Sequence, residues 1–187
     1  MIDLETSACT PNAGILSVSM VPFVLYGDFP KNDKNGKAVK DMGYFHYNVD
    51  FLSCFMDNLD IEKSTQEWWS KQNKDLRDSF REEAKPISEV IEIVYGVLEY
   101  LSKLYDLHVW SKGTDFDFPI LENCFRKYLN KKAPYQYWNK RDVRTYIADY
   151  EDIKNMVFEG TAHNSLDDCK HQIIQVKEAW KRRNGKS

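Results

Sequence analysis

The pattern of hydrophobic and polar residues predicts strands in the first part of the chain. Residues 1–6 alternate apolar and polar side chains, residues 14–25 are rich in Ile, Leu, Val and Phe, and residues 44–55 alternate aromatic and polar side chains. Alternation with period two is typical of half-buried strands. The polar segment 31–41 is predicted to be the loop or hairpin connection between the second and third strands.

From residue 64 onward the apolar residues recur at helical spacing. Ser64 or Thr65 can cap a charged helix, because Glu67 follows at capping-box distance. Pro86 suits the first turn of the next helix. The predicted helices span 64–83, 86–104, 118–129 and 165–183, with a short strand at 107–111. Strands followed by alternating helices and strands favour one α/β domain, residues 1–187, in which helices flank a mixed central β-sheet.

Composition and charge narrow the class of protein. The chain has 187 residues, of which 42% are hydrophobic and 14% aromatic, so it can bury a core of ordinary size. A formal net charge of -3 gives no global attraction for nucleic acid, so such binding needs a local basic patch or metal ions. The four cysteines are far apart and form no CxxC pair, which disfavours a zinc or redox site.

The apolar runs of the chain are short compared with a membrane-spanning helix. Asp3 and Glu5 also stand where a signal peptide would have positive charge. The sequence therefore predicts a cytoplasmic protein with no membrane partner.

The first strand presents two acids on one face. Asp3 and Glu5 are two residues apart and project together, while Ile2 and Leu4 enter the core. Two neighbouring carboxylates repel each other unless a cation neutralises them. A solvated edge strand is the alternative interpretation of the same pattern.

A second acidic segment lies between the strand at 107–111 and the following helix. Either Asp115 or Asp117 could simply interact with the dipole at the start of that helix. The apolar residues around them, Phe116 among them, set a register in which Asp117 faces inward.

The third acidic segment enters the last helix. His163 lies on the incoming loop and Asp168 in the first helical turn. The alternative is that Asn164 or Ser165 caps the helix, with Asp167 and Asp168 interacting with its dipole.

These acids, in this order, resemble the DEDDh exonuclease superfamily, which has a ribonuclease-H-like fold and includes proofreading subunits, ribonuclease T and oligoribonuclease. The motif is Asp-x-Glu, then an Asp at a helix entry, then a His followed five residues later by Asp. That spacing selects Asp168 over Asp167 and His163 over His171, which would be an ordinary, partly exposed histidine. The matching positions are Asp3, Glu5, Asp117, His163 and Asp168.

Longer segments are similar to the exonuclease A group of large phages and to the related bacterial 3′→5′ exoribonucleases. They are STQEWW at 64–69, WSKG at 110–113 with FDFPIL at 116–121, and WNKRDVRT at 138–145. The last segment is much rarer than the acidic motifs. The family's first strand usually has several residues before its Asp, so the strand that presents Asp3 is expected to be short at that end.

The resemblance implies a metal-dependent 3′→5′ exonuclease that releases nucleoside 5′-monophosphates from 3′ ends of single-stranded or overhanging DNA or RNA. It implies two Mg²⁺ or Mn²⁺ ions. Asp3 would bridge them, Glu5 and Asp168 would complete the ligands of one, and Asp117 would act on the second, partly through water. His163 would be the general base. A short-oligonucleotide ribonuclease and a catalytically silent DEDD-like nucleic-acid-binding protein are the alternatives, and the oligomeric state, including a homo-oligomer, is open.

Residues 126–144 contain many lysines and arginines but only Asp142 as an acid, with aromatic residues interleaved. Basic side chains and stacking aromatics suit single strands, whereas core aromatics and a solvated lysine loop are the alternative. Asp142 would pair with a neighbouring arginine. One of Trp68 and Trp69 is expected to line the nucleotide groove and the other to lie in the core. The predicted substrate-binding residues are Thr6, Trp69, Phe116, Trp138, Arg141 and Arg144.

Overall fold

Five strands form the centre of the part of the molecule that the computed structural model describes, residues 1–37 and 43–186. The antiparallel sheet has the order β1 (Ile2–Thr6), β2 (Ile15–Met20), β3 (Phe45–Asn48), and β4 (Val109–Ser111) pairs in parallel with β5 (Lys140–Asp142). β4 also lies against β1. Both kinds of pairing that a mixed α/β fold requires are therefore present, and they lie in two small hydrogen-bonded sheets.

Helices surround these strands. They are α1 (Phe51–Met56), α2 (Lys63–Ser70), α3 (Lys74–Ser79), α4 (Ile87–Leu104), α5 (Asp117–Leu129), α6 (Val143–Tyr146), α7 (Glu151–Lys154) and α8 (Ser165–Arg183). α5 and α8 both pack on β1, and α4 packs on α5. None of the described helices is long and apolar enough to cross a membrane.

Two hydrophobic clusters form the core, and β4 contributes to both. Val109 belongs to the cluster between the antiparallel sheet and α4 and α5, whereas Trp110 belongs to the cluster around α8. Successive strand residues point to opposite faces, which explains how a three-residue strand can join the two clusters. Phe118 and Phe125 of α5 are fully buried in the first cluster, and Val176 of α8 is fully buried in the second.

Only the first part of the third predicted strand, residues 44–55, forms a strand. Residues 45–48 form β3, but Asp50 accepts a hydrogen bond from the backbone N–H of Leu52 at 3.1 Å and caps α1. The aromatic residues of 51–55 therefore belong to a helix, and the prediction of a strand there is wrong. In the same way only Ile15–Met20 of the predicted strand 14–25 forms β2.

The predicted helix 64–83 is divided in two. Asn73 accepts a hydrogen bond from the backbone N–H of Asp75 at 2.7 Å and starts α3 after a break. The helices predicted at 86–104, 118–129 and 165–183 are confirmed. β5, α6 and α7 were not predicted, because elements of three or four residues are too short to show a period. Of the predicted connection 31–41, residues 31–37 form turns and residues 38–41 lie outside the described residues.

Candidate active site

Three carboxylates meet beside the first strand. Ile2 and Leu4 are 2% and 5% exposed in the core, which turns Asp3 and Glu5 to the opposite face of β1. Asp168 comes from the first turn of α8, which packs on β1 and β2. One oxygen from each of the three carboxylates lies within 4.8 Å of the others. The structure thus brings together three of the predicted acids.

Burial disfavours the deprotonated form of these carboxylates when no cation is present. It raises the pKa of Glu5 to about 10, with repulsion from Asp3 as the next cause. Burial and repulsion from Asp117 and Asp168 also hold the pKa of Asp3 well above its usual range. The pKa of Asp168 is raised as well, again by burial first. The deprotonated cluster therefore requires positive charge from outside it.

The donor set fits a hard divalent cation. Asp168 Oδ2 is buried and has no hydrogen-bond partner among the described residues. Carboxylate oxygens are the ligands that Mg²⁺ and Mn²⁺ prefer. Asp3 is held in place, because Gln172 Nε2 donates a hydrogen bond to Asp3 Oδ1 at 2.9 Å. Gln172 was not predicted, although its place one turn after Asp168 on α8 puts it on the same helix face.

Asp117 lies beside this group and is held by the backbone of β1. It begins α5, is 4% exposed, and its Oδ1 accepts a hydrogen bond from the backbone N–H of Leu4 at 3.1 Å. Burial raises the pKa of Asp117 to about 7, and the bond from Leu4 and the positive charge of Arg144 oppose that rise. Asp115 is exposed, so the inward-facing acid is Asp117, the one that the register of the segment favours.

His163 lies at the rim of the site, on the loop before α8. Its φ of 65° is left-handed, a backbone conformation that a non-glycine residue keeps only where its surroundings hold it. Burial raises the pKa of the Asp168 carboxyl, and the neighbouring His163 opposes that rise, so the two residues lie close together. The exposed imidazole stands edge-on to Trp68, with 4.7 Å between ring centroids. His171, expected to be partly exposed, is instead 8% exposed and packs against Phe158.

The adjacent tryptophans of α2 have different environments. Trp69 is 9% exposed, and its indole N–H donates a hydrogen bond to the carbonyl oxygen of Thr6 at 2.8 Å. Thr6 is 6% exposed, and its hydroxyl donates to the carbonyl oxygen of Ala8 at 2.8 Å. Trp68 is 41% exposed and contacts His163. Of the pair, Trp68 is therefore accessible to a ligand, while the predicted groove residue Trp69 supports the end of β1.

Two cations flank the turn after β4. Gly113 has a φ of 123°, and a Cβ there would lie 3.3 Å from Nη1 of the exposed Arg144, so a glycine lets the guanidinium approach. The half-buried Lys112 faces the acids. Burial raises the pKa of both Asp3 and Asp168, and the charge of Lys112 lowers both in part. Lys112 lies in the quoted WSKG segment but was not predicted as a site residue.

Asp142 has a structural role in the WNKRDVRT segment. Its carboxylate accepts hydrogen bonds from the backbone N–H of Gly113 at 3.0 Å and of Thr145 at 2.9 Å, which caps α6. The structure contains no ion pair from Asp142 to Arg141 or Arg144 among the described residues, so the predicted ion pair is wrong.

Two of the other predicted substrate residues, Trp138 and Arg141, belong to the segment that leads into β5. In the parallel register Lys140 pairs with Val109, so Trp138 lies at the start of β4, whereas Asp117 follows its carboxyl end. Trp138 is 58% exposed, and Arg141 Nη1 donates a hydrogen bond to its carbonyl oxygen at 2.6 Å. Phe116 is half-buried against the first hydrophobic cluster.

Three comparisons with known proteins show the family and the fold of the chain. Residues 1–180 match the family described as the Rv2179c-like 3′-5′ exoribonuclease domain. The chain is 28% identical over 212 residues to an exodeoxyribonuclease of Enterobacteria phage T4, covering 96% of this chain and 87% of the relative. The structure of S. pombe Pop2p in its Mg²⁺- and Mn²⁺-bound form has a TM-score of 0.58 at 12% identity, covering 100% of this chain and 84% of Pop2p. The predicted ribonuclease-H-like fold and the resemblance to DEDD exonucleases are confirmed.

Proposed function

This chain belongs to the Rv2179c-like 3′-5′ exoribonuclease family, and from that premise we propose that it is a 3′→5′ exonuclease of the DEDDh type. It removes nucleotides in turn from 3′ ends of single-stranded or overhanging nucleic acid and releases nucleoside 5′-monophosphates. The observation that carries the proposal is the convergence of Asp3, Glu5 and Asp168 within 4.8 Å, beside the exposed imidazole of His163. A cytoplasmic location is part of the same proposal.

The carboxylates would hold the metal ions. Asp3, Glu5 and Asp168, with Asp117 next to them, are the ligands proposed for two Mg²⁺ or Mn²⁺ ions. When bound, such ions stabilise charge on the phosphoryl oxygens and lower the pKa of water. The raised pKa values of Asp3 and Glu5 support this assignment, because bound cations would remove the repulsion that contributes to both shifts.

The chain's own residues prepare the attacking water and remove its proton. His163 accepts a proton from water as the water oxygen bonds to phosphorus. The bond from phosphorus to the 3′-oxygen of the preceding nucleotide breaks, and that oxygen takes a proton from solvent. His163 lies next to Asp168, and Gln172 donates a hydrogen bond to the carboxylate of Asp3, so Asp3 is oriented before substrate arrives.

Positive and aromatic groups next to the acids suit a single strand. Lys112 faces the carboxylates and Arg144 covers Gly113, so both can oppose phosphate charge. Trp68 offers an exposed ring at the same rim for stacking on a base. The family is described as exoribonucleases and the phage relative as an exodeoxyribonuclease, so the choice of sugar is part of the test.

The test is digestion of 5′-labelled oligonucleotides in Mn²⁺, with matched DNA and RNA as single strands and as duplexes with a 3′ overhang. A ladder that shortens from the 3′ end, and stops when the metal is chelated, is the expected result. Cleavage of very short oligomers alone would instead favour a short-oligonucleotide ribonuclease. No cleavage of any substrate would favour a catalytically silent binding protein and overturn the proposal.

A matched pair of variants tests the site itself. Asp117→Asn is expected to reduce kcat at least about 100-fold, as the loss of a charged group at a metal site does, while Asp115→Asn stays close to wild type. The two acids are two residues apart, but Asp117 is 4% exposed and Asp115 is exposed. Equal effects of the two substitutions would contradict the proposed ligand set.

A further inference from the structure

A short loop before α8 is tied to the first turn of that helix by the carboxylate of Asp167. Asp167 Oδ2 accepts a hydrogen bond from the backbone N–H of Thr161 at 3.0 Å. The neighbouring Gly160 has a φ of 118°, and a Cβ there would lie 2.7 Å from the same oxygen. The loop backbone therefore lies directly on the Asp167 carboxylate, at a distance that only glycine permits.

The same loop places His163. The backbone N–H of Asn164 donates to the carbonyl oxygen of Thr161 at 3.0 Å, which closes a turn around His163. The side chain of Asn164 accepts hydrogen bonds from the backbone N–H groups of Leu166 and Asp167. Between these contacts His163 keeps its left-handed φ of 65°. Such a conformation persists only where the surrounding contacts hold it, and Thr161 is the anchor on the loop side.

Asp167 makes different contacts from its neighbour Asp168. One Asp167 oxygen accepts from Thr161, and the other lies 3.4 Å from Lys170 Nζ. The group of oxygens within 4.8 Å of one another comprises Asp3, Glu5 and Asp168, without Asp167. Consecutive aspartates at the start of α8 thus face two different structures, the acid cluster and the loop.

We propose that Asp167 is a positioning residue for the reaction: it holds residues 160–163 so that the His163 imidazole stays beside Trp68 and the Asp168 carboxylate. This rests on the proposed function, in which His163 is the general base. Without the bond from Thr161 the turn loses its anchor, and the imidazole samples orientations in which it cannot reach the attacking water. Asp167 acts through His163 and touches neither metal nor substrate.

The first experiment compares two substitutions at the same position. Asp167→Ala removes the acceptor and is expected to lower kcat about 10- to 100-fold, the range for loss of a hydrogen bond to a charged group, with KM little changed. Asp167→Asn keeps an oxygen that can accept from Thr161 and is expected to restore most of the rate. Amide hydrogen exchange at Thr161 should be fast in the alanine variant and slow in the asparagine variant. Equal rates for wild type and Asp167→Ala would overturn the proposal.

The second experiment asks whether Asp167 acts through His163. In a His163→Ala background, Asp167→Ala should cause no further loss of kcat, because there is no imidazole left to position. If the two losses multiply, Asp167 affects the fold or the acid cluster instead, and the proposal fails. The Mn²⁺ concentration at half-maximal rate should change little in Asp167→Ala, since the three clustered carboxylates are all retained.

A control and a second perturbation complete the test. Glu159→Ala removes an exposed acid from the same loop and is expected to leave kcat unchanged. Gly160→Ala places a methyl group against Asp167 and should reproduce the Asp167→Ala loss. A slow His163→Ala with a fully active Asp167→Ala would refute the positioning role alone. A fully active His163→Ala would refute the general base and the positioning role together.

Discussion

Replacing Glu5 by glutamine should stabilise the metal-free protein above neutral pH. The carboxyl group is buried and its pKa is raised from 4.5 to about 10, first by burial and then by repulsion from Asp3. Below pH 4.5 both the folded and the unfolded chain keep the proton, so the group costs nothing. As the pH rises toward 10, the unfolded chain loses the proton freely and the folded chain does not, so the free energy of unfolding falls. Glutamine imitates the protonated form and removes that fall.

The size of the expected stabilisation depends on how far the assay pH lies above the ordinary pKa of a glutamate. At about pH 8 a Glu5 that titrates alone would cost about 5 kcal/mol, at about 1.4 kcal/mol per pH unit above its ordinary value. Because the neighbouring carboxylates titrate together, Glu5 does not bear this whole cost alone. We therefore expect Glu5→Gln to raise the free energy of unfolding by about 2–5 kcal/mol. For a chain of this length that corresponds to a rise in Tm of about 5–15 °C. At about pH 5 the gain should shrink below about 1 kcal/mol.

The assay is thermal unfolding of wild type and Glu5→Gln in the presence of a chelator, at a series of pH values from about 5 to about 8. Glu159→Gln, which neutralises an exposed acid, is the control and should leave Tm within about 2 °C at each pH. Added Mn²⁺ should raise the Tm of wild type more than that of Glu5→Gln, because a ligand stabilises only the state that binds it. A metal-free Glu5→Gln that is no more stable than wild type, or a gain independent of pH, would refute the reasoning.

Two further substitutions test the roles proposed for side chains at the rim. His163→Ala should lower kcat about 10²- to 10⁴-fold, the usual contribution of a general base, with no change in Tm. His108→Ala, which replaces another exposed histidine, is the control and should keep the wild-type rate. A wild-type rate for both variants would remove the general-base assignment. Arg144→Ala should raise KM and reduce the dependence of log KM on log salt by about one unit, as expected for one lost phosphate contact, and an unchanged salt dependence would place the guanidinium away from the substrate.

How much the sequence could predict depends on the length of the pattern. The helices α4 and α8 are long enough to show their period, and their predicted bounds agree with the structure. The strand β5 has three residues and cannot show one. The alternating aromatics of 51–55 fit a strand as well as a short helix, and the cap by Asp50 decided between them.

The candidate site shows the same division between local and tertiary information. The inward register of Asp117 could be predicted because Phe116 and the apolar residues after it fix the start of α5. The different environments of Trp68 and Trp69 could not, because they depend on the carbonyl group of Thr6, which is far away in the sequence. An adjacent pair of identical residues contains no information about which of them a distant strand will bind.

Hydrophobic packing explains both where the acids lie and why placing them there costs free energy. Ile2 and Leu4 enter the core because burial of their side chains is favourable, and that choice turns Asp3 and Glu5 to the other face of β1. Packing of α8 on β1 then brings Asp168 to the same place, with Cys169 and Val176 fully buried behind it. The hydrophobic contacts thus force together carboxylates that repel one another. Because those contacts are independent of any cation, the site is preorganised, and a bound divalent ion would release the repulsion rather than assemble its own ligands.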